Sequence, residues 1–150
     1  MKLIKIKYVK IQATYYGANG WILDINSTKI SIDPWLVGTL KFAPGEWLIK
    51  GELKKEWEIP NDIDLLLLTQ GLPDHSHKET LSKLSKNIPV IGSASAAKIT
   101  TALGFENVIR TKPRDITKFH DFKILTTKGA SVPVIENGYI IQNNNLNIYI

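Results

Sequence analysis

The residues with the most chemical potential in this chain fall in one short stretch. Thr69-Gln70-Gly71-Leu72-Pro73-Asp74-His75-Ser76-His77 follows four consecutive leucines, Leu65 to Leu68. Asp74 and His75 place a carboxylate beside an imidazole. Such a pair supplies a hard and a borderline ligand for a cation, or a general base whose imidazole titrates near neutral pH. The chain has three histidines, His75, His77 and His120, and no cysteine. Thiolate metal sites, cysteine nucleophiles and disulfides are therefore excluded. The same residues also have plainer uses: Asp74 or Ser76 can cap a following helix, and His75 can hydrogen-bond a main-chain group.

Something must hold this loop in place, and the flanking sequence indicates what. Ile63 to Thr69 is apolar on both faces, the pattern of a strand covered by layers on either side. Ser76-His77-Lys78-Glu79 reads as a capping box, with Ser76 as N-cap, opening a helix over 77–86. A short strand over 88–91, a helix over 95–103 closed by Gly104 and a strand over 107–110 complete a βαβαβ succession, hence a locally parallel sheet. Loops at the carboxyl ends of such strands are where ligands bind.

The N-terminal third reads as strands. Ile4, Ile6 and Tyr8 share one parity, which switches near Val9. Tyr16-Gly17-Ala18-Asn19-Gly20 is a turn, and Trp21 to Ile25 and Thr28 to Asp33 form a hairpin around Asn26-Ser27. Residues 35–61 carry Trp35, Trp47 and Trp57 among glycine, proline and charge. They read as a long loop with one helical turn near Gly51 to Trp57. The last forty residues return to strands, with a turn at Asn143-Asn144-Asn145. His120 sits in a turn between two of them.

Composition bounds the rest. The 150 residues, 43 % hydrophobic and 22 % charged, suit one folded domain and exclude a wholly disordered or collagen-like chain. The longest apolar run is four leucines, against the roughly 20 residues of a membrane helix, so no membrane partner is expected. With no secretion signal and no cysteine, a cytoplasmic location is the expectation. The net charge of +5 rests on scattered lysines, with Arg110 and Arg114 the only arginines. No arginine cluster or groove-reading motif accompanies it, which puts nucleic acid last among the partner classes.

Thr69-Gln70-Gly71-Leu72-Pro73-Asp74-His75 after a hydrophobic strand resembles the T-H-x-H-x-D-H motif of the metallo-β-lactamase superfamily. The upstream turn at Tyr16 to Gly20, the Trp-Ile-Leu-Asp-Ile strand and Ile30-Ser31-Ile32-Asp33-Pro34-Trp35 agree in order and spacing. The branch it most resembles is that of lactonase- and phosphodiesterase-like single-domain hydrolases, including plant and cyanobacterial members. The resemblance implies a layered α/β sandwich. This chain would be one domain over 1–150, supplying the N-terminal portion of that fold: a mixed sheet with helices on its outer face. It implies a small-molecule ester, lactone or phosphodiester substrate, Asp33 as a supporting aspartate near the metals, and Asp74 and His75 as two metal ligands. Gln70 in the loop and Trp35 after the Asp-Pro step are the candidate substrate contacts.

The departures from that pattern shape the expectation. The motif's first two histidines fall on Gln70 and Leu72, a poor zinc ligand and none at all. Where the family places a further histidine after the strand at Ile124 to Thr127, the chain reads Lys128-Gly129-Ala130-Ser131-Val132-Pro133. Zinc or another divalent metal is then expected as a single weakly held ion or not at all. Two readings stand: a hydrolase with a remodelled site, in which Asp74 and His75 bind one metal or act as base and orienter without it, and a non-catalytic binding or assembly module on the same fold. The chain stops within the apolar Ile148-Tyr149-Ile150, which suggests a missing C-terminal part. A half-sandwich would expose an apolar sheet face, so a homodimer, or cover from loop 35–61, is expected.

Overall fold

The computed structural model describes residues 9–42, 50–131, 135–143 and 146–150, without the side chains of residues 130 and 135. The expected N-terminal strand over residues 4–8, Trp47 and the Asn144-Asn145 turn lie outside these residues. The described elements are β1 (Ile11–Gly17), β2 (Gly20–Ile25), β3 (Thr28–Ile32), β4 (Thr39–Lys41), β5 (Lys50–Glu52), β6 (Leu65–Leu68), α1 (Lys78–Lys83), β7 (Val90–Gly92), α2 (Ala94–Ala102), β8 (Val108–Arg110), β9 (Ile116–Phe119), β10 (Phe122–Ser131), β11 (Ile135–Asn143) and β12 (Leu146–Tyr149). The expected α/β class is correct only loosely. Among the described residues the helices are two, of six and nine residues, and strands dominate.

Six strands form a mixed sheet in the order β1-β2-β3-β6-β7-β8. β1, β2 and β3 run antiparallel, with Asn26 and Ser27 both at positive φ in the tight turn between β2 and β3. β3, β6, β7 and β8 run parallel, as the βαβαβ reading requires. A second, antiparallel sheet has the order β12-β11-β10-β9.

The four leucines of β6 serve two cores at once. Leu65 and Leu67 join Ile30, Ile32, Phe122, Ile124, Tyr139 and Ile141 between the sheets, whereas Leu66 and Leu68 join Leu81, Leu84, Ala96 and Phe105 under the helices. All four are fully buried, and each contributes about 1.5–3 kcal/mol by leaving water. The inner face of the mixed sheet is thus covered by the second sheet, and none of the described residues of 35–61 belongs to that core. The outer face of the second sheet carries one transverse row, Ile116–Leu125–Ile140–Tyr149, paired directly across all four strands. Its two ends are well exposed, Ile116 at 64 % and Tyr149 at 70 %.

Three local expectations need correction. The N-cap of α1 is His77, whose imidazole Nδ1 accepts from Thr80 N, because the Ser76 hydroxyl is already donating to Gln70 O at 2.5 Å. α1 ends at Lys83 rather than at 86, because the Lys86 ammonium folds back onto Leu81 O and Ser82 O and satisfies the last carbonyls. In place of a helical turn near Gly51 to Trp57 there is a small hairpin, β4 against β5. Gly51 lies close against Leu40 and the Trp35 ring, where a side chain would crowd both. Among the described residues no helix is long and apolar enough to cross a membrane.

Candidate active site

The parallel strands β3 and β6 end side by side, and their carboxyl ends deliver Asp33 and Thr69 to one spot. Asp33 N still extends the ladder, donating to Leu67 O, and then the chain turns at φ +40° into Pro34. That left-handed backbone costs most residues about 1–2 kcal/mol, and aspartate is among the few that tolerate it. The turn aims the Asp33 carboxylate back at β6. Oδ1 accepts Thr69 N at 2.8 Å and Oδ2 accepts the Thr69 hydroxyl at 2.5 Å.

His75 completes this arrangement. Its backbone N donates to Leu72 O, in the turn that carries the loop toward α1. Its Nδ1 lies 2.7 Å from Asp33 Oδ2 and 2.8 Å from Thr69 Oγ1. An acceptor-only carboxylate on that side fixes the proton at Nδ1 and leaves Nε2 as the basic nitrogen. Nε2 faces Asn19, whose amide nitrogen is 3.1 Å away and also donates to Asp74 Oδ2 at 3.0 Å. Asp74 Oδ2 stands 3.6 Å from Nε2, while its Oδ1 is buried with no hydrogen-bond partner.

The electrostatics follow from this geometry. Burial lifts the Asp33 carboxyl above its usual range, against the opposing pull of His75 and Thr69. Burial lowers the His75 pKa, but the hydrogen bond and charge of Asp33, aided by Asp74 and Glu136, outweigh it, and the net shift is upward. The pair therefore holds its proton to a higher pH than a free histidine does.

The second sheet closes the other side of the site. Asn137 N donates to Thr69 O, and the Tyr139 hydroxyl donates to Leu68 O at 3.1 Å. Asn137 Nδ2 ties Thr111 to Tyr139, and burial pushes the Tyr139 phenol up to about 12. Glu136, buried in the same strand, accepts from Ser95 Oγ at the start of α2, and Gly71 leaves the space that Ser95 needs. Between these groups lies a cleft of about 310 Å³, reached by Asn19, Asp33, Thr69, Gln70, His75 and Asn137, with Trp21 and Tyr149 at its rim.

Of the residues singled out by sequence, the structure brings Asp33, Asp74 and His75 together, with Gln70 on the cleft wall. Trp35 is elsewhere. It is buried, packed against Gly51 with its ring 6.3 Å from His77, and is not among the residues lining the cleft. His120 is in the β9–β10 turn, stacked on Phe119. Sequence reasoning missed Asn19, Glu136, Asn137 and Tyr139. The available signal was two consecutive polar residues, Glu136-Asn137, just ahead of the apolar run Tyr139-Ile140-Ile141.

Residues 12–149 match the family described as the β-lactamase superfamily domain. No curated protein matches the sequence. Among solved structures the chain is similar to CmlA, a diiron β-hydroxylase from Streptomyces venezuelae, with 18 % identity and a TM-score of 0.68 over 95 % of this chain and 29 % of that one. It is similar to an isothiocyanate hydrolase from Delia radicum gut bacteria, with 17 % identity and a TM-score of 0.66 over 91 % of this chain and 60 % of that one. It also resembles Igni18, a metallo hydrolase from the archaeon Ignicoccus hospitalis, with 18 % identity and a TM-score of 0.61 over 93 % and 59 %. At these identities the likeness is one of fold. The chain spans about three-tenths of the length of the first and three-fifths of the other two.

Proposed function

The chain belongs to the β-lactamase superfamily, and from that membership and the geometry of the cleft we propose that it is a hydrolase of ester, lactone or phosphodiester bonds in which His75 is the general base. Asp33 orients the imidazole and stabilises its charged form, Thr69 holds Asp33, and Asp74 flanks Nε2. Water entering the cleft displaces the Asn19 amide from Nε2, gives its proton there as it attacks the scissile centre, and the imidazolium returns that proton to the departing oxygen as its bond breaks. Gln70, on the cleft wall, contacts the substrate in this reading. The observation that carries this reading is the 2.7 Å contact between His75 Nδ1 and Asp33 Oδ2 on a ring that opens into the cleft. Positioned general bases of this kind contribute about 10²–10⁴-fold to rate.

The donors around His75 do not fit a tightly held cation. The Asn19 amide takes the lone pair of His75 Nε2 and one of those on Asp74 Oδ2, so on these two side chains only Asp74 Oδ1 stands without a partner. Both Asp33 oxygens are occupied by Thr69 and His75. Gln70 and Leu72 offer no imidazole, and among the described residues no three His, Asp or Glu side chains converge as a ligand set. No step is therefore assigned to zinc or another divalent metal.

The deciding experiment is an assay of purified protein on ester, lactone and phosphodiester substrates with chelator present, beside His75→Asn. Turnover that survives chelation and drops about 100-fold or more in the variant is the expected result. Turnover that appears only on adding a metal overturns the base assignment. The second reading, a non-catalytic module, is favoured by one observation, the Asn19 amide covering Nε2. It predicts ligand binding that His75→Asn leaves intact and no turnover of any substrate.

A further inference from the structure

The Asn19 side chain meets His75 at the cleft, which both residues line. Its amide nitrogen stands near three acceptors: Asp74 Oδ2 at 3.0 Å, His75 Nε2 at 3.1 Å and Asp74 O at 3.5 Å. The two oxygens only accept, which places the amide nitrogen, and not the amide oxygen, on this side. An amide nitrogen has two hydrogens, so the three acceptors compete for two donors. Giving up Nε2 therefore leaves the amide anchored on Asp74. One N–H is then free to turn toward whatever has taken its place at the ring.

The backbone delivers Asn19 to this spot. Gly17 at φ +112° and Ala18 at φ +46° reverse the chain between β1 and β2, and the Tyr15 hydroxyl donates to Ala18 O at 3.1 Å. Gly20 then packs so closely that a Cβ there would lie 3.3 Å from Trp35 N and 3.4 Å from Asp33 O. The turn is thus seated against the corner that holds Asp33. Asn19 lines the cleft and Asp74 does not, so the amide stands between that carboxylate and a bound molecule.

We infer that Asn19 is a catalytic residue, the donor to the carbonyl oxygen of an ester or lactone substrate, with Asp74 as the positioning residue that anchors it. Water adds to the carbonyl carbon and gives its proton to Nε2, and the π electron pair moves onto the carbonyl oxygen. That oxyanion accepts the N–H released from Nε2 and faces the imidazolium formed in the same step. The pair then returns, the C–O bond to the leaving group breaks, and the imidazolium proton goes to the departing oxygen. A carbonyl develops its charge on one oxygen, which one N–H can meet, whereas a phosphodiester spreads charge over two. A preorganised donor of this kind contributes about 10²–10³-fold to rate. The inference rests on the hydrolase reading for the reaction, and a binding measurement separates the two.

The test pairs kinetics with calorimetry on wild-type protein, Asn19→Ala and His75→Asn. Asn19 is not at positive φ, so alanine leaves the turn unstrained, and circular dichroism checks the fold. The probes are phenyl acetate as substrate, phenyl methylphosphonate as a charged tetrahedral analogue and phenylacetone as an uncharged planar one. Asn19→Ala is expected to lower kcat on phenyl acetate about 100-fold or more, with KM within about twofold. It is expected to weaken the phosphonate about tenfold or more and to leave the ketone within about twofold. Unchanged turnover in Asn19→Ala overturns the proposal, and so does raised turnover, the mark of a plug. Equal phosphonate affinity in the two proteins, or no phosphonate binding by wild-type protein, overturns it as well. If His75→Asn abolishes turnover while Asn19→Ala retains it, the donor assignment fails and the hydrolase reading stands. If wild-type protein turns over no ester or lactone but binds the phosphonate through Asn19, the hydrolase reading fails and Asn19 remains the donor to a bound oxyanion.

Discussion

His75 Nδ1 and Asp33 Oδ2, forty-two residues apart in sequence, lie 2.7 Å apart at the adjoining ends of two parallel strands. If that contact orients the base, Asp33→Asn should lower kcat by about 10²-fold or more while leaving KM nearly unchanged. Asparagine keeps the left-handed backbone, so circular dichroism should show the native fold. Separate kcat and KM values decide the matter, and a loss confined to KM would point to binding instead.

Stability should fall in acid because of His77. Its burial depresses the pKa, and its neutral Nδ1 accepts from Thr80 N while Nε2 donates to Thr39 O. A depressed folded-state pKa means that the contribution is full above the ordinary histidine value and is lost as pH falls through the folded one. His75 acts in the opposite sense: its raised pKa gives a contribution present in acid and lost as pH rises through the folded value. Urea midpoints across this range should show an acid-side decline that His77→Asn flattens, since asparagine caps without titrating. His77→Ala should cost about 1 kcal/mol at neutral pH.

Tyr139→Phe removes one hydroxyl from between Leu68 O and Asn137 Nδ2. Leu68 O keeps Ser93 N and Asn137 Nδ2 keeps Thr111 O, so a loss of about 0.5–1.5 kcal/mol is expected in chemical denaturation. A change well under about 0.5 kcal/mol would mean that water replaces the hydroxyl.

Gly71→Ala should disturb the site from behind. An added Cβ would sit 2.6 Å from Ser95 Cβ, so Ser95 or the loop must shift. The cost is about 1–3 kcal/mol. Because Ser95 is the donor to Glu136, binding in the cleft should weaken as well, which calorimetry on the folded variant would show.

The transverse row Ile116–Leu125–Ile140–Tyr149 is the surface on which the expected homodimer can be tested. Light scattering should give a dimer that Ile116→Lys converts to monomer, since lysine at the end of the row is readily solvated. A wild-type monomer would count against association through this face.

Much of the site was legible in the sequence, for identifiable reasons. Asp33, Asp74 and His75 stand next to strong local signals: an apolar strand ending in Asp-Pro, and four leucines ending in a polar loop. Glu136, Asn137 and Tyr139 reach the same place across the sandwich, with Tyr139 meeting Leu68 over 71 residues of chain, a separation that no local pattern encodes. Ser76 was misread for a related reason. A serine followed three residues later by glutamate is a good cap until Gln70 O takes the hydroxyl. Trp35 drew attention as an aromatic in an irregular segment, but the β4–β5 hairpin packs against it and removes it from solvent.

The left-handed turn at Asp33 restricts which amino acids evolution can try there. β-Branched side chains are strongly disfavoured there, so drift at this site favours glycine, asparagine and aspartate. Glycine would relax the backbone and asparagine would satisfy it, both at little thermodynamic penalty. A lineage that had abandoned acid–base work would be free to settle on either, so an aspartate retained at that corner across descendants would record continued use.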